Sequence, residues 1–164
     1  MIGIIYGSSM GNTADAANLI AETLGLPCEV LNVGETDAGT INGFDKLILG
    51  SSTWGSGDLQ DDWDAFDFGS LNLSGKTVAC FGMGDSASYS DEYCNALGKL
   101  YDAAKAAGGD MIDASVSTDG YEFDGSDSVR DGKFIGLALD ADNQGDLTAE
   151  RISSWVAKIK PSFE

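Results

Sequence analysis

No histidine occurs among the 164 residues, which removes the usual general base near neutral pH and the commonest transition-metal ligand. Acid-base hydrolysis loses its ordinary instrument. Basic residues are scarce too: nine Lys and Arg stand against 27 Asp and Glu, a formal net charge of -18. Nucleic acid is held by cationic side chains that displace counterions, so this balance argues against it and favours partners with basic surfaces. The cysteines Cys28, Cys80 and Cys94 are odd in number and lack Cys-x-x-Cys spacing, which indicates neither a disulfide framework nor a thiolate metal site. Buried thiols in the core are the expectation. No apolar run is long enough to cross a bilayer, so a soluble chain with no membrane partner is expected. The opening Met1-Ile2-Gly3-Ile4-Ile5-Tyr6 lacks the basic region and long apolar segment of a signal peptide and reads as a buried strand, which places the chain in the cytoplasm.

What is present alternates. The runs Ile2 to Tyr6, Cys28 to Val33, Lys46 to Ser51, Lys76 to Phe81 and Met111 to Val116 are short, β-prone and bounded by Gly, Ser or Asp. Between them, Ala16, Leu19, Ile20 and Leu24 recur at helical spacing, as do Tyr93, Leu97, Leu100, Tyr101 and Ala104. A last helix follows from Ile152, Trp155, Val156 and Ile159, with Pro161 as its expected stop, and a short one is read between Asp61 and Phe68. Strands alternating with helices predict an α/β fold, an open parallel sheet covered on both faces. Residues 1–164 read as one domain, and the polar stretch from Ser117 to Lys133 reads as an excursion inserted into or beside the last strand.

The chemistry falls in three loops. Gly7-Ser8-Ser9-Met10-Gly11-Asn12-Thr13 leads from the first strand into the first helix, where strand ends and unpaired helix N–H groups receive anions. Ser8, Ser9, Asn12 and Thr13 add neutral donors. The loop lacks the Gly-Lys-Ser/Thr ending of a nucleoside-triphosphate loop and the Gly-x-Gly-x-x-Gly of a dinucleotide fold. A monophosphate held by neutral donors remains, beside the plainer reading of a serine-capped turn. The second loop, Ser52-Thr53-Trp54-Gly55-Ser56-Gly57-Asp58, and the third, Gly82-Met83-Gly84-Asp85-Ser86-Ala87-Ser88-Tyr89, each carry one aromatic. Two aromatics on neighbouring loops suit the faces of a planar ligand, although single exposed aromatics are also ordinary. Asp58, Asp61, Asp62, Asp64 and Asp67 form an acidic stretch suited to steering a basic partner or simply to solvation.

Together and in this order the loops resemble the flavodoxins, over essentially the whole chain. Ile4 to Thr13 is similar to the family's FMN-phosphate signature, and Ser52-Thr53-Trp54-Gly55 through Trp63 to the loop that supplies a flavin-stacking tryptophan. Thr118 to Phe123 and Val129 to Leu137 resemble the insertion of the long-chain subgroup, which falls at about 118–136. The resemblance implies a five-stranded parallel sheet of order 2-1-3-4-5 and non-covalent FMN. Ser8, Ser9, Met10, Gly11, Asn12 and Thr13 would hold its phosphate, with Met10 standing where threonine is common in the family. Thr53 would meet the ribityl chain, with Ser52 beside it among the cofactor-binding residues, and Trp54 and Tyr89 would flank the ring. Asp85 to Tyr89 would offer backbone groups to the pyrimidine edge, and Gly82, Asp85 and Ser88 of this loop are counted among the cofactor-binding residues.

It further implies a low-potential one-electron carrier passing through semiquinone and hydroquinone states, monomeric and not an enzyme, with the Gly55-Ser56 peptide rotating so that the Gly55 carbonyl accepts a hydrogen bond from the N–H formed at flavin N5. The partners implied are a flavodoxin reductase and acceptors such as nitrogenase, photosystem I or other reductive enzymes. Two rivals share the fold. A flavin-dependent reductase would need cations for a dinucleotide phosphate, and no Lys or Arg lies near the three loops. A receiver-type signalling domain would need an acidic pair where the chain has Gly7-Ser8-Ser9.

Overall fold

The computed structural model describes residues 1–8, 11–54 and 57–164, with Trp54 described by its backbone alone. The strands β1 (Ile2–Gly7), β2 (Cys28–Asn32) and β3 (Lys46–Trp54) come first, with α1 (Asn12–Leu24) and the single turn α2 (Ala38–Ile41) between them. A two-residue strand β4 (Asp58–Leu59) folds back antiparallel on the end of β3. It is followed by α3 (Asp61–Asp64), β5 (Thr77–Met83) and α4 (Asn95–Ala106). The remainder comprises β6 (Asp110–Met111), β7 (Val116–Ser117), β8 (Val129–Arg130), β9 (Lys133–Phe134), β10 (Leu137–Leu139) and α5 (Thr148–Phe163).

The parallel strands lie in the order β2-β1-β3-β5-β10, the expected 2-1-3-4-5. Side chains alternate across a strand, and here they feed two cores. Ile4, Ile48 and Ala79 pack with Ile20 of α1 and Trp155 and Ile159 of α5 on one face. Ile5, Leu47, Leu49 and Cys80 pack with Trp63 of α3 and Leu97 and Leu100 of α4 on the other. Burial on both faces explains why β1 and β5 read as apolar runs rather than alternating patterns.

The structure corrects three expectations. Met111 to Val116 is not one strand. β6 pairs with the start of β5, the chain then leaves the sheet, and β10 pairs with the end of β5. The polar excursion therefore splits the fifth strand, and within it β7, β9 and β8 form a separate antiparallel sheet. The helix between Asp61 and Phe68 stops at Asp64. Its Trp63 and, beyond it, Phe66 and Phe68 pack on one another, with the Trp63 and Phe68 rings stacked at 5.6 Å between centroids. Pro161 does not end the last helix, which runs to Phe163. A proline so near the C-terminus forfeits little beyond its own N–H bond, and buried Phe163 holds the final turn against the core.

Candidate functional site

The carboxyl ends of β1, β3, β5 and β10 border a cleft of about 190 Å³. At the β1 end, Gly11 has φ +92° and precedes α1 without any side-chain cap. Its N–H donates to Ser8 Oγ at 3.0 Å. This left-handed φ favours glycine. Helix geometry leaves the N–H groups of Asn12, Thr13 and Ala14 without intrahelical acceptors. The Thr13 hydroxyl is buried beside them with no hydrogen-bond partner, in a residue only 1 % exposed. Ser9 and Met10 lie outside the described residues.

β3 runs beyond its neighbours, so Ser52 and Thr53 reach the cleft. Thr53 Oγ1 accepts the Ala96 N–H at 3.2 Å, which ties this strand end to the start of α4 and leaves the hydroxyl proton free to be donated. The backbone of Trp54 pairs with Asp58, while Gly55 and Ser56, including the expected N5 acceptor, lie outside the described residues. Gly57 returns the chain at φ +86°, where a Cβ would meet Asn95 Nδ2 at 2.8 Å.

The third loop is built around Asp85. Its Oδ1 accepts the N–H of Ala87 at 3.1 Å, the N–H of Ser88 at 3.0 Å and the Asn143 side-chain amide at 2.8 Å. Desolvation by partial burial pushes this carboxyl up, but the bonds from Ser88, Asn143 and Ala87 outweigh it and hold the group below the ordinary carboxylate range. Tyr89 is 44 % exposed, one of two large apolar side chains so exposed among the described residues, and it lines the cleft.

Of the residues expected from sequence, the cleft brings together Asn12, Thr13, Ser52, Thr53, Asp85 and Tyr89. Ser8 and Gly11 shape its helix end. Ser88 turns its N–H onto Asp85. Gly82 lies inside β5, with Leu97 Cβ 2.8 Å from where its own Cβ would stand, and serves packing against α4. Met83, Gly84, Ala141 and Asp142 also line the cleft. The last two follow β10, and the rule that ligands sit at strand carboxyl ends points to that loop once β10 is recognised. A larger cavity of about 410 Å³ lies between α5 and the root of the excursion, away from these strand ends. Volume does not decide between the two; the smaller stands at the carboxyl ends of the parallel strands and at the N-terminus of α1, where open α/β sheets receive ligands.

The Flavodoxin family pattern matches residues 4–155. A flavodoxin of Picosynechococcus sp. is 43% identical over 166 residues, covering 99% of this chain and 97% of that protein. Flavodoxin 1 of Azotobacter vinelandii is 43% identical over 169 residues, with coverage of 99% and 97%. Among solved structures, the Fusobacterium nucleatum flavodoxin bound to flavin mononucleotide superposes with a TM-score of 0.91 at 31% identity, covering 99% of this chain and 98% of that one.

Proposed function

The chain belongs to the flavodoxin family, and on that premise we propose that it is an electron-transfer protein, not an enzyme, that works through non-covalently bound FMN. The observation that carries the reading is the Thr13 hydroxyl, buried without a partner at the start of α1 on the wall of the cleft. An unmet buried donor is costly, and a phosphate group is the kind of acceptor that a helix N-terminus receives. Among the described residues the cleft lining includes no Lys or Arg, so the donor set is neutral.

Ser8, Asn12 and Thr13, with the first N–H groups of α1, would hold the phosphate, and Thr53 would donate to the ribityl chain. Tyr89 offers an exposed face for the ring, and Trp54 is the proposed second face. Bound FMN supplies a flavin that takes up and gives up electrons one at a time. With FMN bound, Tyr89 would shield the ring from water, and Asp85 and Asp142 at the cleft would disfavour added negative charge, lowering the potential for the second electron. The exposed Asp61, Asp62, Asp64 and Asp67 form the face proposed to steer basic-surfaced redox partners, a reductase and reductive acceptors. Like-charged copies repel, so a monomer is proposed. Among the described residues no helix is long and apolar enough to cross a membrane.

Titration of the apoprotein with FMN and with riboflavin tests the reading. FMN is expected to bind at least about tenfold more tightly, as charge-assisted hydrogen bonds to the phosphate require. Equal affinities would remove the assignment of Thr13 and the α1 terminus.

A further inference from the structure

The third loop is held by a loop that follows β10, through a bridge between carboxylates. Asp140, 1 % exposed, accepts on Oδ2 the N–H of Ser86 at 3.0 Å and the Ser86 hydroxyl at 2.6 Å. The Asn143 side-chain amide lies 2.8 Å from Asp85 Oδ1 and 3.1 and 3.0 Å from the two Asp140 oxygens. The Asn143 N–H donates to Asp140 Oδ1 at 3.0 Å. With the Asp85 bonds to Ala87 and Ser88, and the Tyr89 N–H on the Asp85 carbonyl at 2.9 Å, every backbone N–H from Ser86 to Tyr89 is already spent within the protein.

We propose that Asp140 and Asn143 are positioning residues that lock the Asp85–Tyr89 loop. The lock fixes the Tyr89 ring at the cleft and withholds the Ser86 to Tyr89 N–H groups from the cofactor. This rests on the FMN reading and assigns to the fourth strand-end loop a role in cofactor affinity and potential. A buried carboxylate that accepts several bonds makes a rigid anchor, because each bond to a charged group is stronger than a neutral one. Among the described residues Asn143 is the one side chain hydrogen-bonded to both carboxylates, and its NH₂ group is the end that such acceptors require.

The test compares Asp140→Asn, Asn143→Leu and Asp142→Asn. Asp142 is exposed and lines the same cleft, so its variant removes a nearby charge without touching the lock. Amide hydrogen exchange of Ser86 to Tyr89 in the apoprotein should accelerate about tenfold or more in the first two variants, the loss of one charge-assisted bond, and stay unchanged in the third. FMN affinity should fall about tenfold in the first two. The potential of the second electron should rise in Asp140→Asn and also shift in Asn143→Leu, which keeps every charge. If Asp140→Asn does not fold, Asn143→Leu, at an exposed position, carries the test.

Unchanged exchange in Asn143→Leu overturns the lock. Faster exchange with affinity and potential within about twofold of the parent, in equilibrium terms, overturns its bearing on the cofactor. A parent protein that binds no FMN overturns the electron-carrier reading and the cofactor part of this proposal together, while the exchange rates still decide whether the loop is locked.

Discussion

Thr13 and Tyr89 border the same cleft with their exposures inverted: the polar side chain is 1 % exposed and unpartnered, while the aromatic one is 44 % exposed. Burial normally runs the other way. A ligand with an anionic end and a flat apolar body would satisfy both.

Thr13→Val separates stability from binding. Valine keeps the shape and removes an unmet buried hydroxyl, so the apoprotein should gain about 1 kcal/mol, while FMN affinity falls about tenfold through loss of a bond to phosphate. Urea denaturation of the apoprotein and fluorescence titration with FMN measure the two effects. A loss of stability with unchanged affinity would make Thr13 an ordinary core residue.

Tyr89→Ala should leave apoprotein stability within about 0.5 kcal/mol, as expected for an exposed side chain. FMN affinity should fall about tenfold, the usual worth of an aromatic stacking face. Tyr89→Phe should retain most of the affinity. If Phe were as damaging as Ala, the hydroxyl rather than the ring would be the contact.

The thiols give a pH signature. Cys80 and Cys94 are buried, and Cys28 is half-buried. Burial pushes the Cys94 thiol up to about 12 and raises Cys80 further. A thiol raised in the folded state stabilises fully below its unfolded pKa of about 8.5 and loses that contribution as pH rises through the folded value. Stability should therefore decline from about pH 8.5 upward, with a shallower slope in Cys94→Ala. Among the three thiols, a native-state thiol reagent should reach Cys28 first. Fast labelling of Cys94 at neutral pH would contradict its burial.

Charge predicts a salt effect. Exposed carboxylates act over distances that about 0.1 M salt screens to roughly 10 Å. Raising sodium chloride from about 0.01 M to about 0.3 M should move the potential of the second electron upward, as read by equilibration with redox dyes. A potential independent of salt would leave desolvation, not repulsion, as its cause.

How far the sequence reveals these features depends on the range of the interaction. The strands from β1 to β5 that are buried on both faces announce themselves as apolar runs, and the turn at Gly11 is local. β6 and β10 are short pieces whose identity comes from pairing with β5, so Met111 to Val116 looked like one strand. The part played by Asp140 is invisible in its neighbours because the group it anchors, Ser86, lies 54 positions earlier. Pro161 misleads because the rule against helical proline weakens in a final turn, where buried Phe163 offsets the lost bond.

The most direct test of the electron-carrier reading is the visible spectrum of the FMN-reconstituted protein during stepwise addition of dithionite under argon. One FMN should be tightly held per chain and reduced in two separated one-electron steps, the second at the lower potential. A protein that takes up no FMN, or one reduced in a single two-electron step, would contradict that reading.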